Sequence, residues 1–222
     1  MSEKVAVILQ ARMNSSRLPG KVLEDIAGRP MLQFIVERLK RSSCVDQIIL
    51  ATTDHSSDDA LAELSRELGI MLVRGNQRDV LARYVQSASQ TDAKVLVRIT
   101  GDCPFVDPVL LDQMITDFQL STEIDYMSNC SFPSYPDGLD IEIFSSEALL
   151  IAGLECTDMA QREHVTPWIR ESGLFAIAIK QNDVDLSGLR WTVDEPEDLM
   201  VIRAVVDHFG GSSDVIWRDG YE

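Results

Sequence analysis

Three cations stand close together early in the chain, Arg12, Arg17 and Lys21, in the stretch Gln10-Ala11-Arg12-Met13-Asn14-Ser15-Ser16-Arg17-Leu18-Pro19-Gly20-Lys21. Two carboxylates, Asp102 and Asp194, each follow a short apolar run, Val95 to Ile99 and Trp191 to Val193. Arginine grips phosphate oxygens through its planar fork, and lysine adds a compact point charge. Mg2+ takes oxygen ligands, commonly one or two carboxylates plus substrate phosphates. These five side chains are therefore the parts required to hold Mg2+ on a nucleoside triphosphate. Each part has a plainer use: a solvated basic loop, a turn aspartate, and an Asp194 that caps the helix opened by Pro196. Their combination favours the chemistry. The loop is not a Walker motif, because Val22 stands where that motif needs Ser or Thr.

The surrounding pattern must bring these groups together. Val5 to Leu9 is five apolar residues, read as a buried parallel strand that feeds the cationic loop. In open α/β sheets ligands gather beyond the carboxyl ends of the strands, which is where this loop and Asp102 fall. Met31, Leu32, Ile35, Val36 and Leu39 recur at helical spacing, Gln47 to Thr53 reads as a strand, and Asp58 to Leu68 as an amphipathic helix stopped by Gly69. A short strand ending at Val73, a helix from Asp79 to Ala88 and a strand from Lys94 to Thr100 continue the alternation. Such alternation implies crossover units and a mainly parallel sheet.

Beyond Pro108 the pattern becomes α+β. A helix to Phe118, strands near Asp125 to Met127 and Leu139 to Phe144, and helices from Ser146 and around Arg162 to Glu171 are expected. A strand from Phe175 to Lys180, a last core strand at Trp191 to Val193 and a helix from Pro196 to Phe209 complete the chain. The reading is one α/β domain over residues 1–222, with a Rossmann-like half to about residue 107 and a second half from about 108.

The composition narrows the function. With 45% apolar and 25% charged residues the chain is an ordinary globular protein. A net charge of −16 argues against nucleic acid as a partner, since polyanion binding needs a basic face. No apolar run reaches the ~20 residues of a membrane helix, and no signal sequence opens the chain, so no membrane partner and a cytoplasmic location are expected. Cys44, Cys103, Cys130 and Cys156 form no C-x-x-C pair and are read as free thiols.

Gln10-Ala11-Arg12 followed by Ser16-Arg17-Leu18-Pro19-Gly20-Lys21 resembles the nucleotide loop of sugar cytidylyltransferases. The branch is the spore-coat polysaccharide F type, related to CMP-Kdo synthetases and acylneuraminate cytidylyltransferases. The resemblance continues through Thr52-Thr53-Asp54, Arg74-Gly75-Asn76 with Asp79-Val80-Leu81, and Thr100-Gly101-Asp102-Cys103-Pro104. It extends to Tyr135-Pro136-Asp137-Gly138-Leu139-Asp140, Arg162-Glu163-His164-Val165-Thr166-Pro167 and Arg190-Trp191-Thr192-Val193-Asp194. It implies a glycosyltransferase-A-like nucleotidyltransferase fold, CTP and a small sugar as partners, Mg2+ as cofactor on Asp102 and Asp194, and a homodimer.

The same resemblance gives Gln10, Ala11, Arg12, Arg17 and Lys21 to the nucleotide, with Lys21, Arg17 and Asp102 catalytic. Arg74-Gly75-Asn76, between a strand and a helix, is placed to read a pyrimidine edge or ribose, and Asp79 either orients that loop or caps the helix. The acceptor side draws on Tyr135, Asp140, Glu142, Arg162 and His164. Asp140 and Glu142 share one strand face at period two, and Arg162 offers a fork for the carboxylate of an ulosonic acid. His164 is either structural or a proton-transfer group. A glycosyltransferase could share this fold, although Asp102-Cys103-Pro104 lacks the second acid of Asp-x-Asp, and so could a silent nucleotide-binding protein. Cys103 departs from CMP-Kdo synthetases, which have an acid there.

Overall fold

The computed structural model describes residues 3–121 and 123–220, with side chains described to residue 218. Its core is a seven-stranded sheet in the order β5-β4-β1-β6-β8-β7-β9. The strands are β1 (Val5–Gln10), β4 (Gln47–Thr53), β5 (Met71–Gly75), β6 (Val95–Thr100), β7 (Tyr126–Ser128), β8 (Glu142–Ser145) and β9 (Ile177–Ile179). Only β8 runs against the others, pairing antiparallel with both β6 and β7. The sheet is mixed and mainly parallel, and each of its seven strands overlaps one expected from the sequence. A two-stranded ribbon, β2 (Asp25–Ile26) and β3 (Arg29–Pro30), lies apart from it and was not foreseen.

Successive residues of β1 face opposite sides, so Val5, Val7 and Leu9 enter one core while Ala6 and Ile8 enter the other. The first core takes α1 (Met31–Leu39), α2 (Asp59–Glu67), α4 (Pro108–Leu120) and α8 (Pro196–His208). The second takes α3 (Val80–Ala88), α5 (Ser146–Glu155) and α7 (Pro167–Glu171). A sheet buried on both faces explains why its central strands read as continuous apolar runs.

Two expectations need correction. The helix expected around Arg162 to Glu171 is two helices, α6 (Met159–His164) and α7, because Pro167 opens a new helix and Val165 turns at φ +71. The break sets Thr166 against Glu142, whose carboxylate accepts its hydroxyl at 2.5 Å. Trp191 to Val193 is also not a sheet strand. The main chain there is bonded to two loops instead: Trp191 N donates to Asp137 O at 2.7 Å and Val193 N to Asp102 O at 2.8 Å. Among the described residues no helix is long and apolar enough to cross a membrane.

Candidate active site

The cationic loop leaves β1 at Gln10 and is fastened from below. Met13 N donates to the carboxylate of Asp58 at 2.9 Å, and that fully buried group also accepts from Thr52 Oγ1, Thr53 N and Thr53 Oγ1. Burial alone would raise its pKa, but these bonds outweigh burial and hold the carboxyl below its ordinary value. Gly20 closes the loop at φ +79, a left-handed turn that costs glycine nothing, and its N–H bonds Met13 O at 2.8 Å. The next residue is thereby turned inward. Lys21 is only 7% exposed, and its ammonium donates to Val193 O at 2.6 Å, Asp194 Oδ1 at 3.0 Å and Asp102 Oδ2 at 3.3 Å.

Asp194 is a focus of positive charge rather than a helix cap. Glu195 caps α8, and Asp198 completes that capping box. The Asp194 carboxylate meets Lys21 and Arg17 at Oδ1, the latter at 2.8 Å, and Arg190 at Oδ2, also at 2.8 Å. Burial pushes its pKa up, but Lys21, Arg190 and Arg17 outweigh that and hold it below the usual carboxylate value. Asp102 follows β6, its carbonyl bonded by Val193 N and Thr192 Oγ1, so the two acids belong to segments stitched to each other. The adjacent Cys103 thiol is buried, and burial followed by the charge of Asp102 drives its pKa well up, leaving it a neutral wall.

These groups line a cleft made of two adjoining cavities of about 260 and 350 Å3, which share Arg17, Arg98, Thr100, Asp102 and Asp194. The larger adds Gln10, Ala11, Arg12, Ser15, Ser16, Lys21 and His164. The smaller adds Asp137, Asp140 and Glu142. Glu142 is fully committed: its carboxylate pairs with Arg98 and accepts from Tyr126 OH at 2.6 Å and Thr166 Oγ1. Burial would raise its pKa, and Arg98 with these hydroxyls brings it below the usual value. Asp140 lies before β8 rather than on it, so the shared strand face expected for the two acids does not form. Burial, and then the charges of Asp137, Glu142 and Asp102, push Asp140 up to about 6.

Several expected site residues lie elsewhere. Arg162 pairs with Asp79 at 3.0 Å and also donates to the carbonyls of Gly153 and Cys156, so its fork is spent inside the fold. Asp79 is the N-cap of α3, accepting from Ala82 N. Arg74 binds Asp59 and the carbonyls of Thr53 and His55, Asn76 Oδ1 accepts from Arg78 N and Asp79 N, and Gly75 packs on the stem of Arg83. Tyr135 is buried edge-on against Trp217. None of these six lines the cleft. Arg98, Thr100 and Asp137 do line it and were not singled out. Arg98 carried a signal, being a charge inside the apolar run Val95 to Ile99 and in register with the buried Glu142.

Among the described residues no three His, Cys, Asp or Glu side chains form a metal-binding group. Asp102 and Asp194 nevertheless fit a divalent cation held jointly with phosphates. Their carboxylates converge on the single Lys21 ammonium, both are oxygen donors, and the neighbouring thiol is neutral.

The chain is similar to known proteins along most of its length. A cytidylyltransferase from Leptospira borgpetersenii serovar Hardjo-bovis (strain JB197) superposes with a TM-score of 0.94 at 32% identity, over 98% of this chain and 92% of that one. The spore coat polysaccharide biosynthesis protein SpsF of Bacillus subtilis (strain 168) is 32% identical over 220 residues, 95% of this chain and 90% of its own. A CMP:2-keto-3-deoxy-manno-octonic acid synthetase complexed with CTP shares the fold at 20% identity, with a TM-score of 0.70 over 93% of this chain and 99% of that one. The family model described as cytidylyltransferase matches residues 6–203, and the chain belongs to that family.

Proposed function

We propose that the chain transfers the cytidylyl group of CTP to a hydroxyl of an acidic sugar of the ulosonic type, releasing pyrophosphate, for surface polysaccharide synthesis. The observation that carries the reading is the convergence of Lys21 with Asp102 and Asp194 beside the Arg12 and Arg17 loop. The acceptor oxygen bonds to the α-phosphorus, the bond from that phosphorus to the β-phosphate bridge breaks, pyrophosphate leaves, and the hydroxyl proton passes to water. Such in-line chemistry asks the protein chiefly for positioning and charge stabilisation. Arg12, Arg17 and Lys21 hold the departing phosphates, Lys21 from a buried and preorganised position. Mg2+ on Asp102 and Asp194, when bound, supplies Lewis-acid neutralisation of phosphate charge. Asp140 and Thr100 face the acceptor's hydroxyls, and His164, on the wall of the larger cavity, faces its carboxylate. The names of relatives support the substrate class: one is a spore coat polysaccharide biosynthesis protein and another a CMP-sugar-acid synthetase.

One observation favours a second reading of the acceptor. The smaller cavity carries five carboxylates, its Arg98 is paired with Glu142, and Arg162 is spent on Asp79. A neutral or amino-bearing sugar would enter that lining more readily than an anion. Formation of CMP-sugar from CTP over a panel of ulosonic acids, neutral sugars and amino sugars separates the readings. Turnover confined to ulosonic acids supports the first, and turnover confined to the others replaces it with the second.

A further inference from the structure

We propose that Arg190 is a positioning residue that locks Asp194, the aspartate assigned to the metal, to the loop carrying the acceptor-side acids. The inference rests on the metal reading of Asp194. Its guanidinium holds three carboxylates at once: Nη1 lies 2.8 Å from Asp137 Oδ2, Nη2 2.8 Å from Asp194 Oδ2, and Nε 3.1 Å from Asp198 Oδ1. A planar fork can serve several carboxylates in fixed directions, which a lysine ammonium on its flexible stem cannot.

An isolated ion pair on a residue this exposed would contribute little. Arg190 is not isolated, because the segments it joins are already interlocked through their main chains. Asp137 N donates to Leu189 O at 2.9 Å and Trp191 N to Asp137 O at 2.7 Å. Gly138, at φ +104, is so close that a Cβ there would stand 2.5 Å from Thr192 N and Trp191 C. Only glycine allows that approach. Asp198 meanwhile accepts from Asp194 N and Glu195 N at 2.8 and 2.9 Å, so the main chain of Asp194 is held by the same acid that anchors Arg190. The consequence is orientational. With Oδ2 taken by Arg190, Oδ1 is the oxygen presented to Lys21 and Arg17 in the cleft. Asp137, three residues from Asp140, ties the acceptor side to the same fork.

The test is Arg190→Lys, which keeps the charge and removes the fork, with Mn2+ as a paramagnetic probe and a non-hydrolysable CTP analogue as nucleotide. Mn2+ binding in the presence of the analogue, read by electron paramagnetic resonance, should weaken about 10-fold, the usual effect of losing a group that orients a metal ligand. Binding of the analogue without metal should weaken less than Mn2+ binding, since Arg190 reaches Lys21 and Arg17 only through Asp194. A role confined to stability predicts a lower melting temperature with unchanged Mn2+ affinity, and that result overturns the proposal. Asp198→Asn decides the matter if Arg190→Lys fails to fold. It keeps an acceptor for the main chain of residues 194 and 195 but drops the charge holding Arg190, and should weaken Mn2+ in the same direction, by up to about 10-fold. Unchanged Mn2+ affinity there again overturns the proposal. If wild type binds the analogue yet takes up no Mn2+, the metal reading falls and this inference with it.

Discussion

The Lys21 ammonium lies 3.0 Å from Asp194 Oδ1, on side chains 173 positions apart, and both are largely buried. That placement makes Lys21 a counter-ion shared by Asp194 and Asp102. Lys21→Met keeps the stem and removes the charge. If Lys21 stabilises charge growing on pyrophosphate, kcat should fall by about 10²–10³, the loss of one preorganised donor. CTP affinity should fall much less, because Arg12 and Arg17 remain and only differential binding changes the rate. Unchanged kcat would remove Lys21 from the chemistry. Equal losses in kcat and affinity would make it an ordinary phosphate contact.

Asp194→Asn separates charge from shape. Glu195 and Asp198 keep the helix cap, so the loss of stability should come only from removing the common partner of Lys21, Arg17 and Arg190, and the protein should still fold. Mg2+-dependent turnover should collapse. Normal turnover would take Asp194 out of the site.

Arg162→Leu should behave as a fold variant. Its pairing with Asp79 and two carbonyls lies away from the cleft, and leaving the Asp79 carboxylate half-buried without its partner should cost about 1–3 kcal/mol in denaturant unfolding. Acceptor KM in the stable fraction should not move. A selective rise in acceptor KM would restore Arg162 to the acceptor side.

Asp140 gives the fold a pH signature. Its carboxyl is raised in the folded chain from 3.8 to about 6, so the folded state binds a proton more tightly than the unfolded one. The contribution of Asp140 to stability should therefore fall as pH rises from about 4 to 6, by up to about 3 kcal/mol, against the opposite trend of Asp58, Glu142 and Asp194. Asp140→Asn cannot titrate and should be the more stable protein above pH 6, with the difference closing toward pH 4. A constant difference across that window would assign the shift to another group.

How far the site could be read from the sequence depended on whether a residue's partner was local or distant. Asp102 and Asp194 were legible because each follows an apolar run, and the first loop because its cations crowd into a few positions after a buried strand. Arg162 was legible as a fork but not in its use, since its partner Asp79 is 83 positions away and meets it only where α3 and α6 pack. Arg74 failed in the same manner, its three contacts being set by the ends of β4 and α2. The strand expected at Trp191 to Val193 has the composition of a strand, but its hydrogen bonds go to loops, which composition does not encode. Asp58 was hidden because an aspartate ahead of a helix looks like a cap, whereas this one is the post that holds the cationic loop.

The reaction proposed for this cleft hands the cytidylyl group of CTP to a sugar hydroxyl. The most direct measurement follows α-phosphate-labelled ATP, GTP, UTP and CTP with the acceptor panel, in Mg2+ and after chelation, scoring labelled sugar and pyrophosphate together. Cytidylyl transfer gives labelled sugar and pyrophosphate in equal amounts, from CTP ahead of the other three, and loses both on chelation. Equal use of all four nucleotides, transfer that survives chelation, or pyrophosphate release without labelled sugar would contradict it.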